Sequence, residues 1–281
     1  MTTPTWATSA DGARIAAYDF GGDGEALLLA HATGFHAHAW LPVVEHLRGR
    51  FHCYAFDGRG HGASPSPPGG DFSWRRFGDD AVAAADALGL ERPHAAGHSA
   101  GGTLLLAAEQ DRPGSWATMW LYEPVVFPPS VVSAANPLAA PTRRRKATFG
   151  SRQAAYDNYA AKPPFDRFAP EALRAYVDHG FVDHPTGAVS LACRPDDEAA
   201  TYECSGSSGV WDRLGEITAP VHGVKGAVSD HPPAGLLERV AERIPGATTE
   251  TMPGLGHFGP FEDPRRVAGS ILRHSARPAK A

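Results

Sequence analysis

Short apolar runs alternate with longer stretches in which apolar residues recur at helical spacing. Residues 26–30 and 51–56 are almost continuously apolar, as expected for strands that are buried on both faces of a sheet. Residues 74–88 instead carry apolar side chains every three to four positions, and Gly89 suits the end of a helix. This alternation predicts an α/β fold with a mostly parallel central sheet and helices on both of its faces.

The same rhythm predicts further elements along the chain and is interrupted once. Further strands are expected at residues 13–20, 94–97, 117–122, 220–226 and 247–252, and further helices at 101–109, 233–244 and 264–274. Between residues 127 and 210 prolines cluster and only helical patterns follow. We therefore predict a core formed by residues 1–126 and 211–281, with residues 127–210 inserted as a helical lid.

Composition narrows the classes of function. The 281 residues include 31 acidic and 26 basic side chains, so the chain lacks the excess of positive charge that nucleic acid or an anionic membrane would require. The longest apolar runs are too short to span a bilayer. Three widely spaced cysteines form no metal or disulfide pattern, and we predict reduced thiols in a cytoplasmic protein. The sequence does not decide the oligomeric state and is compatible with a homo-oligomer.

The most informative motif is Gly97-His98-Ser99-Ala100-Gly101, which matches G-x-S-x-G. A predicted strand precedes it and a predicted helix follows it, which is the context of a nucleophile elbow. On such a turn the serine hydroxyl projects from a strained backbone, and the glycines let strand and helix approach closely. An accidental Gly/Ser-rich turn is the alternative, and the strand–helix context argues against it.

Four segments together resemble the α/β-hydrolase superfamily, in the expected order. They are the elbow and residues 31–35, 56–64 and 254–258. The insertion lies where this superfamily usually carries its lid. Within the superfamily the chain is similar to the lid-bearing serine esterases and haloperoxidase-like members, which implies that no cofactor is required.

The resemblance supplies candidates for a catalytic triad. Ser99 is the expected nucleophile, and His257, in a loop before the last helix, is the expected base. For the acid the resemblance favours Asp230, which follows the strand at 220–226, and an ordinary helix cap is the alternative explanation of this aspartate. Glu123 is the alternative acid, because some members of the superfamily take it from the preceding strand.

The oxyanion hole is expected to use the backbone N–H groups of Ala100 and Thr33. The loop that contains Thr33 reads His-Ala-Thr-Gly where the family usually has His-Gly, so Gly34 or Phe35 remain alternatives for the second donor. Aromatic residues that are candidates for lining a substrate pocket, with core packing as the competing explanation, are Phe35, Trp40, Phe127 and Phe258.

Two other groups of residues have structural explanations that we prefer. His31, His36 and His38 have no carboxylate at a matching short spacing, so we predict no metal site. The basic run at residues 143–146 could bind an anionic substrate, but a solvated helix face or lid hinge is the simpler interpretation.

These residues predict a hydrolase that cleaves a small-molecule ester or related acyl compound through an acyl-Ser99 intermediate. A C–C bond hydrolase, a thioesterase or lactonase, and a cofactor-free perhydrolase would use the same triad and remain alternatives. Haloalkane dehalogenases and epoxide hydrolases normally need an aspartate where this chain has Ser99, so both activities are disfavoured. An alternative of another class is a ligand-binding protein that keeps the fold without turnover, and the Ser99/His257 pair argues against it.

Overall fold

The computed structural model describes residues 3–131 and 136–275. An eight-stranded sheet forms the core, with the strand order β1-β2-β4-β3-β5-β6-β10-β11. These strands are β1 (Thr5–Thr8), β2 (Arg14–Gly21), β3 (Glu25–Ala30), β4 (Phe51–Asp57), β5 (His94–His98), β6 (Met119–Tyr122), β10 (Val221–Gly226) and β11 (Thr248–Met252). Six strands of this sheet run parallel to one another, namely β4, β3, β5, β6, β10 and β11. Strand β2 is antiparallel to both of its neighbours, β1 and β4.

The order of the strands creates a crevice at one edge of the sheet. Strand β3 lies between β4 and β5, so the chain leaves β3 on one side and later returns on the other. In open α/β sheets, ligands bind beyond the carboxyl ends of the strands at such a reversal. The loops after β3, β5, β6 and β11 all emerge at this edge.

Helices cover both faces of the sheet. They are α1 (Leu41–Val44), α2 (Trp74–Ala87), α3 (Ala100–Asp111), α8 (Pro232–Ala241), α9 (Gly259–Glu262) and α10 (Pro264–Ser275). Alternate side chains of β3 pack on opposite faces of the sheet. Leu28 packs in the cluster that contains α2 and α3, and Leu27 and Leu29 pack in the cluster that contains α1 and α10. This double burial explains why the strand is continuously apolar.

The insertion between β6 and β10 is not purely helical. It contains α4 (Ala139–Arg143), α5 (Arg152–Ala160), α6 (Pro170–His179) and α7 (Pro195–Glu203). It also contains a three-stranded antiparallel sheet, which the pattern analysis did not predict. Its strands are β7 (Thr148–Phe149), β8 (Phe181–Asp183) and β9 (Val189–Leu191). The predicted lid and core ranges include residues 1–2, 132–135 and 276–281, which lie outside the described part of the chain.

The predicted core elements agree with the observed ones to within a few residues, whereas strand β1 and the short helices α1 and α9 were not predicted. Short 3₁₀ segments complete the fold at Ala37–Trp40, Pro68–Gly70, Pro129–Val131, Phe165–Arg167, Ser205–Ser207 and Trp211–Glu216. Within residues 3–131 and 136–275, no helix has both the length and the apolar character needed to cross a membrane.

Candidate active site

Ser99 stands between β5 and α3 in a backbone conformation that few non-glycine residues adopt, with φ 56° and ψ −118°. Its N–H donates to the carbonyl of Tyr122 on the neighbouring strand at 2.9 Å, which helps to hold the turn. A Cβ on Gly97 would approach the backbone of Gly101 to 2.7 Å, so the flanking glycines permit the close packing of strand on helix. The G-x-S-x-G segment therefore forms a nucleophile elbow.

A chain of hydrogen bonds runs from Ser99 to Glu123 through His257. His257 Nε2 lies 3.2 Å from Ser99 Oγ, and His257 Nδ1 lies 2.6 Å from Glu123 Oε2. The carboxylate can only accept, so Nδ1 carries the proton and Nε2 is left with a lone pair directed at the hydroxyl. This is the tautomer that a general base needs in order to deprotonate a serine.

Glu123 is completely buried, and three donors compensate its charge. Besides the imidazole, the N–H of Gly226 donates to Oε1 at 2.9 Å and the hydroxyl of Ser229 donates to Oε2 at 2.9 Å. Glu123 also has a positive φ of 43°, a strained value for a residue with a side chain. Strain of this kind persists only where the surroundings over-determine it, and it concentrates at functional sites.

The expectation that Asp230 accompanies His257 is not met. Asp230 stands at the surface with its side chain 95% exposed, and its carboxylate accepts a hydrogen bond from Nδ1 of His231 at 3.1 Å. The position beside the imidazole is filled by Glu123, the alternative acid. The physical reason is the length of the chain after β10, which carries Asp230 past the sheet edge to the start of α8.

The loop that bears His257 is held from two strands. Tyr122 donates its hydroxyl hydrogen to the carbonyl of Gly256 at 2.7 Å, and His98 donates from Nε2 to the carbonyl of His257 at 2.8 Å. Burial keeps the pKa of His98 well below its ordinary value, so its ring stays neutral. Sequence analysis missed both residues. Their adjacency to Ser99 and Glu123 at the strand ends is the signal that could have found them.

The two expected oxyanion donors, Ala100 and Thr33, follow β5 and β3 at the same edge of the sheet. Ala100 is the first residue of α3, where the backbone N–H has no partner within the helix. Thr33 follows β3, and Thr33 and Ala100 line one small, largely enclosed cavity. The other residues that line this cavity are His31, His61, Trp74, Phe77, Leu104 and Thr201. Ala100 therefore has its N–H at the positive end of a helix, directly after Ser99 in the chain.

Of the aromatic pocket candidates, Phe258 lies against the imidazole of His257, and Phe35 lies behind Phe258. Phe258 packs edge-on against His257 with ring centroids 5.1 Å apart, and Phe35 lies 5.9 Å from Phe258. Phe127 is half-buried in the segment after β6. Trp40 is fully buried in the core cluster that includes α1 and α10. Trp40 is therefore a core residue, and its proposed place in the pocket is wrong.

Each histidine of the loop after β3 has a contact within the protein. His31 Nδ1 donates to the carbonyl of Ala32, and its Nε2 accepts from the N–H of Gly58. His36 bonds the carbonyl of Tyr176, and His38 stacks on His179 of the insertion. Among the residues that the structure describes, no three His, Cys, Asp or Glu side chains form a group suited to a metal ion.

The basic run at residues 143–146 is only partly a solvated face. Arg143 pairs with Glu203 at the surface, as expected of such a face. Arg145 instead turns inward and contacts the buried carboxylate of Glu198 at 2.5 Å and the hydroxyls of Tyr159 and Tyr176. Glu198 lies against Gly34, so this ion pair supports the loop after β3 from the side of the insertion.

Comparison with known proteins agrees with this geometry. The sequence profile of the alpha/beta hydrolase family matches residues 27–270. The chain belongs to the alpha/beta hydrolase family. RutD of Caulobacter sp. strain K31, whose name describes a carbamate hydrolase, is 28% identical over 258 residues, which cover 89% of this chain and 90% of RutD. N-formylmaleamate deformylase of Pseudomonas putida is 37% identical over 121 residues, which cover 43% of this chain and 45% of the deformylase.

Solved structures of this family superpose over nearly the whole chain. The crystal structure of E-2-(acetamidomethylene)succinate hydrolase aligns with a TM-score of 0.83 at 21% identity, covering 99% of this chain and 100% of that one. An esterase from Rhodococcus sp. aligns with a TM-score of 0.74 at 22% identity, covering 98% and 99%. These likenesses establish the fold, and with the family match they make the protein a hydrolase of this fold.

Proposed function

We propose that the protein is a serine hydrolase that cleaves carboxylic esters or related acyl compounds through an acyl-Ser99 intermediate. The observation that carries the proposal is the hydrogen-bonded chain from Ser99 Oγ through the imidazole of His257 to the buried carboxylate of Glu123. A serine hydroxyl alone is a weak nucleophile, and this chain supplies the base and the group that orients it.

In the proposed mechanism, His257 Nε2 takes the proton of Ser99 as the hydroxyl attacks the acyl carbon. The imidazolium that forms is stabilised by Glu123, whose carboxylate remains hydrogen-bonded to Nδ1. The negative charge on the acyl oxygen is bound by the N–H groups of Ala100 and Thr33. His257 then gives its proton to the leaving group, and water activated by the same imidazole releases the acid.

A second candidate substrate class is that of compounds with an acyl C–N bond, namely carbamates and amides. The names of the relatives favour it, since they describe a carbamate hydrolase, a deformylase of an N-formyl compound and the hydrolase of an acetamido compound. The same triad serves, because His257 can protonate a departing nitrogen as it does a departing oxygen.

The test is to trap the acyl-enzyme and to compare substrates. The purified protein is mixed with p-nitrophenyl esters of increasing chain length, a carbamate and an N-formyl amide, and acid-quenched samples are analysed by peptide mass spectrometry. We expect the acyl mass on the peptide that contains Ser99, and its absence from the Ser99→Ala variant. Hydrolysis that continues in Ser99→Ala, or an acyl group found on another residue, would refute the proposal.

A further inference from the structure

The segment after β10 supplies a second imidazole to the site. His231 lies face to face with His257, with ring centroids 4.5 Å apart and an angle of 9° between the ring planes. Its own orientation is fixed, because Nδ1 donates to the carboxylate of Asp230. Phe258 packs edge-on against both rings, at 5.9 Å from His231 and 5.1 Å from His257. The base is thus confined by rings on more than one side.

The hydrogen bonds of His257 still allow its ring to tilt, and stacking would limit this tilt. A bond at Nδ1 and a contact at Nε2 define an axis through the ring, and rotation about this axis tilts the ring plane while both bonds persist. A flat ring packed parallel to the imidazole opposes this tilt. His98 is centred 5.0 Å away, but its plane is inclined by 49°, so it restrains the tilt less well.

We propose that His231 is a positioning residue of the catalytic centre, which holds the imidazole of His257 in plane by stacking, and that a charge on His231 opposes the transfer of a proton to His257. This inference rests on the proposed function of Ser99 and His257. Positioning of this kind acts on the rate of the chemical step, since misaligned reacting groups lower kcat and leave the ground-state contacts of the substrate untouched.

The charge condition follows from the groups that surround His231. When His257 takes the proton of Ser99 it becomes a cation, and a second cation stacked on its face would oppose that step. Burial, together with the nearby His257, lowers the pKa of His231, whereas Asp230 and Glu123 act in the opposite direction. His98 also faces the pair and stays neutral, because burial keeps its pKa well below the ordinary value. His231 is therefore neutral in the working enzyme and gains its charge as the pH falls.

Two substitutions separate the ring from its charge. His231→Phe keeps a flat ring that cannot be protonated, and His231→Ala removes the ring. His46→Ala, at an exposed histidine after α1, controls for the loss of an imidazole. We measure kcat and KM with p-nitrophenyl acetate, and the rate of labelling by a fluorophosphonate probe between pH 4.5 and 9.

We expect His231→Ala to lose about tenfold in kcat at pH 8 with KM changed by less than about twofold, and His231→Phe to stay within about threefold of the wild type. We also plot the logarithm of the labelling rate against pH. At low pH the slope of this plot should approach two in the wild type and one in His231→Phe. Full activity of His231→Ala, or equal one-proton slopes in the wild type and His231→Phe, would overturn the inference. Failure of the wild type to be labelled at all would instead refute the proposed function.

Discussion

Replacing Glu123 with glutamine should remove nearly all hydrolase activity while the fold is retained. Glu123 Oε1 accepts the N–H of Gly226, so the amide oxygen of the glutamine must take that position. The amide nitrogen then stands where Oε2 was, opposite Nδ1 of His257. An amide nitrogen donates, so the imidazole must move its proton to Nε2, where it can no longer accept the proton of Ser99.

The size of the loss follows from this change of tautomer. A triad acid replaced by its amide with the geometry intact lowers kcat by about 10⁴-fold, which corresponds to about 5.5 kcal/mol of transition-state stabilisation. The hydroxyl of Ser229, which donates to Oε2, can turn to accept from the new amide. No buried polar group is then left unpaired, so the free energy of unfolding should change by less than about 1 kcal/mol.

The assay compares Glu123→Gln with Asp230→Asn, the same chemical change at the exposed carboxylate. We measure kcat and KM on an activated ester, the rate of fluorophosphonate labelling, and the melting temperature. Asp230→Asn acts only through His231 and should cost about threefold or less, and KM should change little in either variant. The reasoning fails if Glu123→Gln keeps a tenth of the wild-type activity or if Asp230→Asn loses as much.

Three further outcomes are expected. Ser99→Ala should lower kcat by about 10⁴-fold or more without a loss of stability, and a tenth of the activity remaining would rule out Ser99 as the nucleophile. Arg145→Met leaves the buried Glu198 without its cation and should lower the free energy of unfolding by about 3 kcal/mol or more, as measured by urea denaturation. Burial holds the pKa of both His31 and His61 at about 4, below the ordinary 6.5, so the folded protein binds fewer protons than the unfolded chain in this range. The contribution of these two histidines to the free energy of unfolding is therefore fully present above about pH 6.5 and is lost as the pH decreases towards 4. A melting temperature that stays constant over this range would contradict the conclusion that His31 and His61 are buried in their neutral form.

The sequence predicts the core strands well because burial and pattern coincide there. Residues 26–30 are apolar since both faces of β3 are covered, and the observed strand, Glu25–Ala30, differs by one residue. The elbow is equally predictable, because its glycines are required by the close packing around Ser99. In each case a single local requirement dictates the residue type.

The strands that pattern analysis missed lack such a requirement. β1 has one buried side chain among its four residues, and β7 has only two residues. Segments this short and exposed bury too little to leave an alternation in the sequence, and their pairing is decided by the elements they meet. The inward turn of Arg145 is of the same kind, because its carboxylate partner is 53 residues away along the chain.

The sequence does not decide which carboxylate is the triad acid, because its two candidates follow adjacent strands. β6 and β10 are paired in register, with Tyr122 opposite Val224, so their carboxyl ends lie side by side. Glu123 comes directly after a strand whose four residues are all buried, and its N–H donates to the carbonyl of Val224, so its carboxylate must enter the interior. Asp230 comes four residues after the end of β10, where the chain has already reached the surface. A carboxylate at the very end of a buried strand needs donors to offset its desolvation, and the triad histidine is such a donor. The distance of an acid from its strand end is therefore the better guide to its role in this chain, and it favours Glu123.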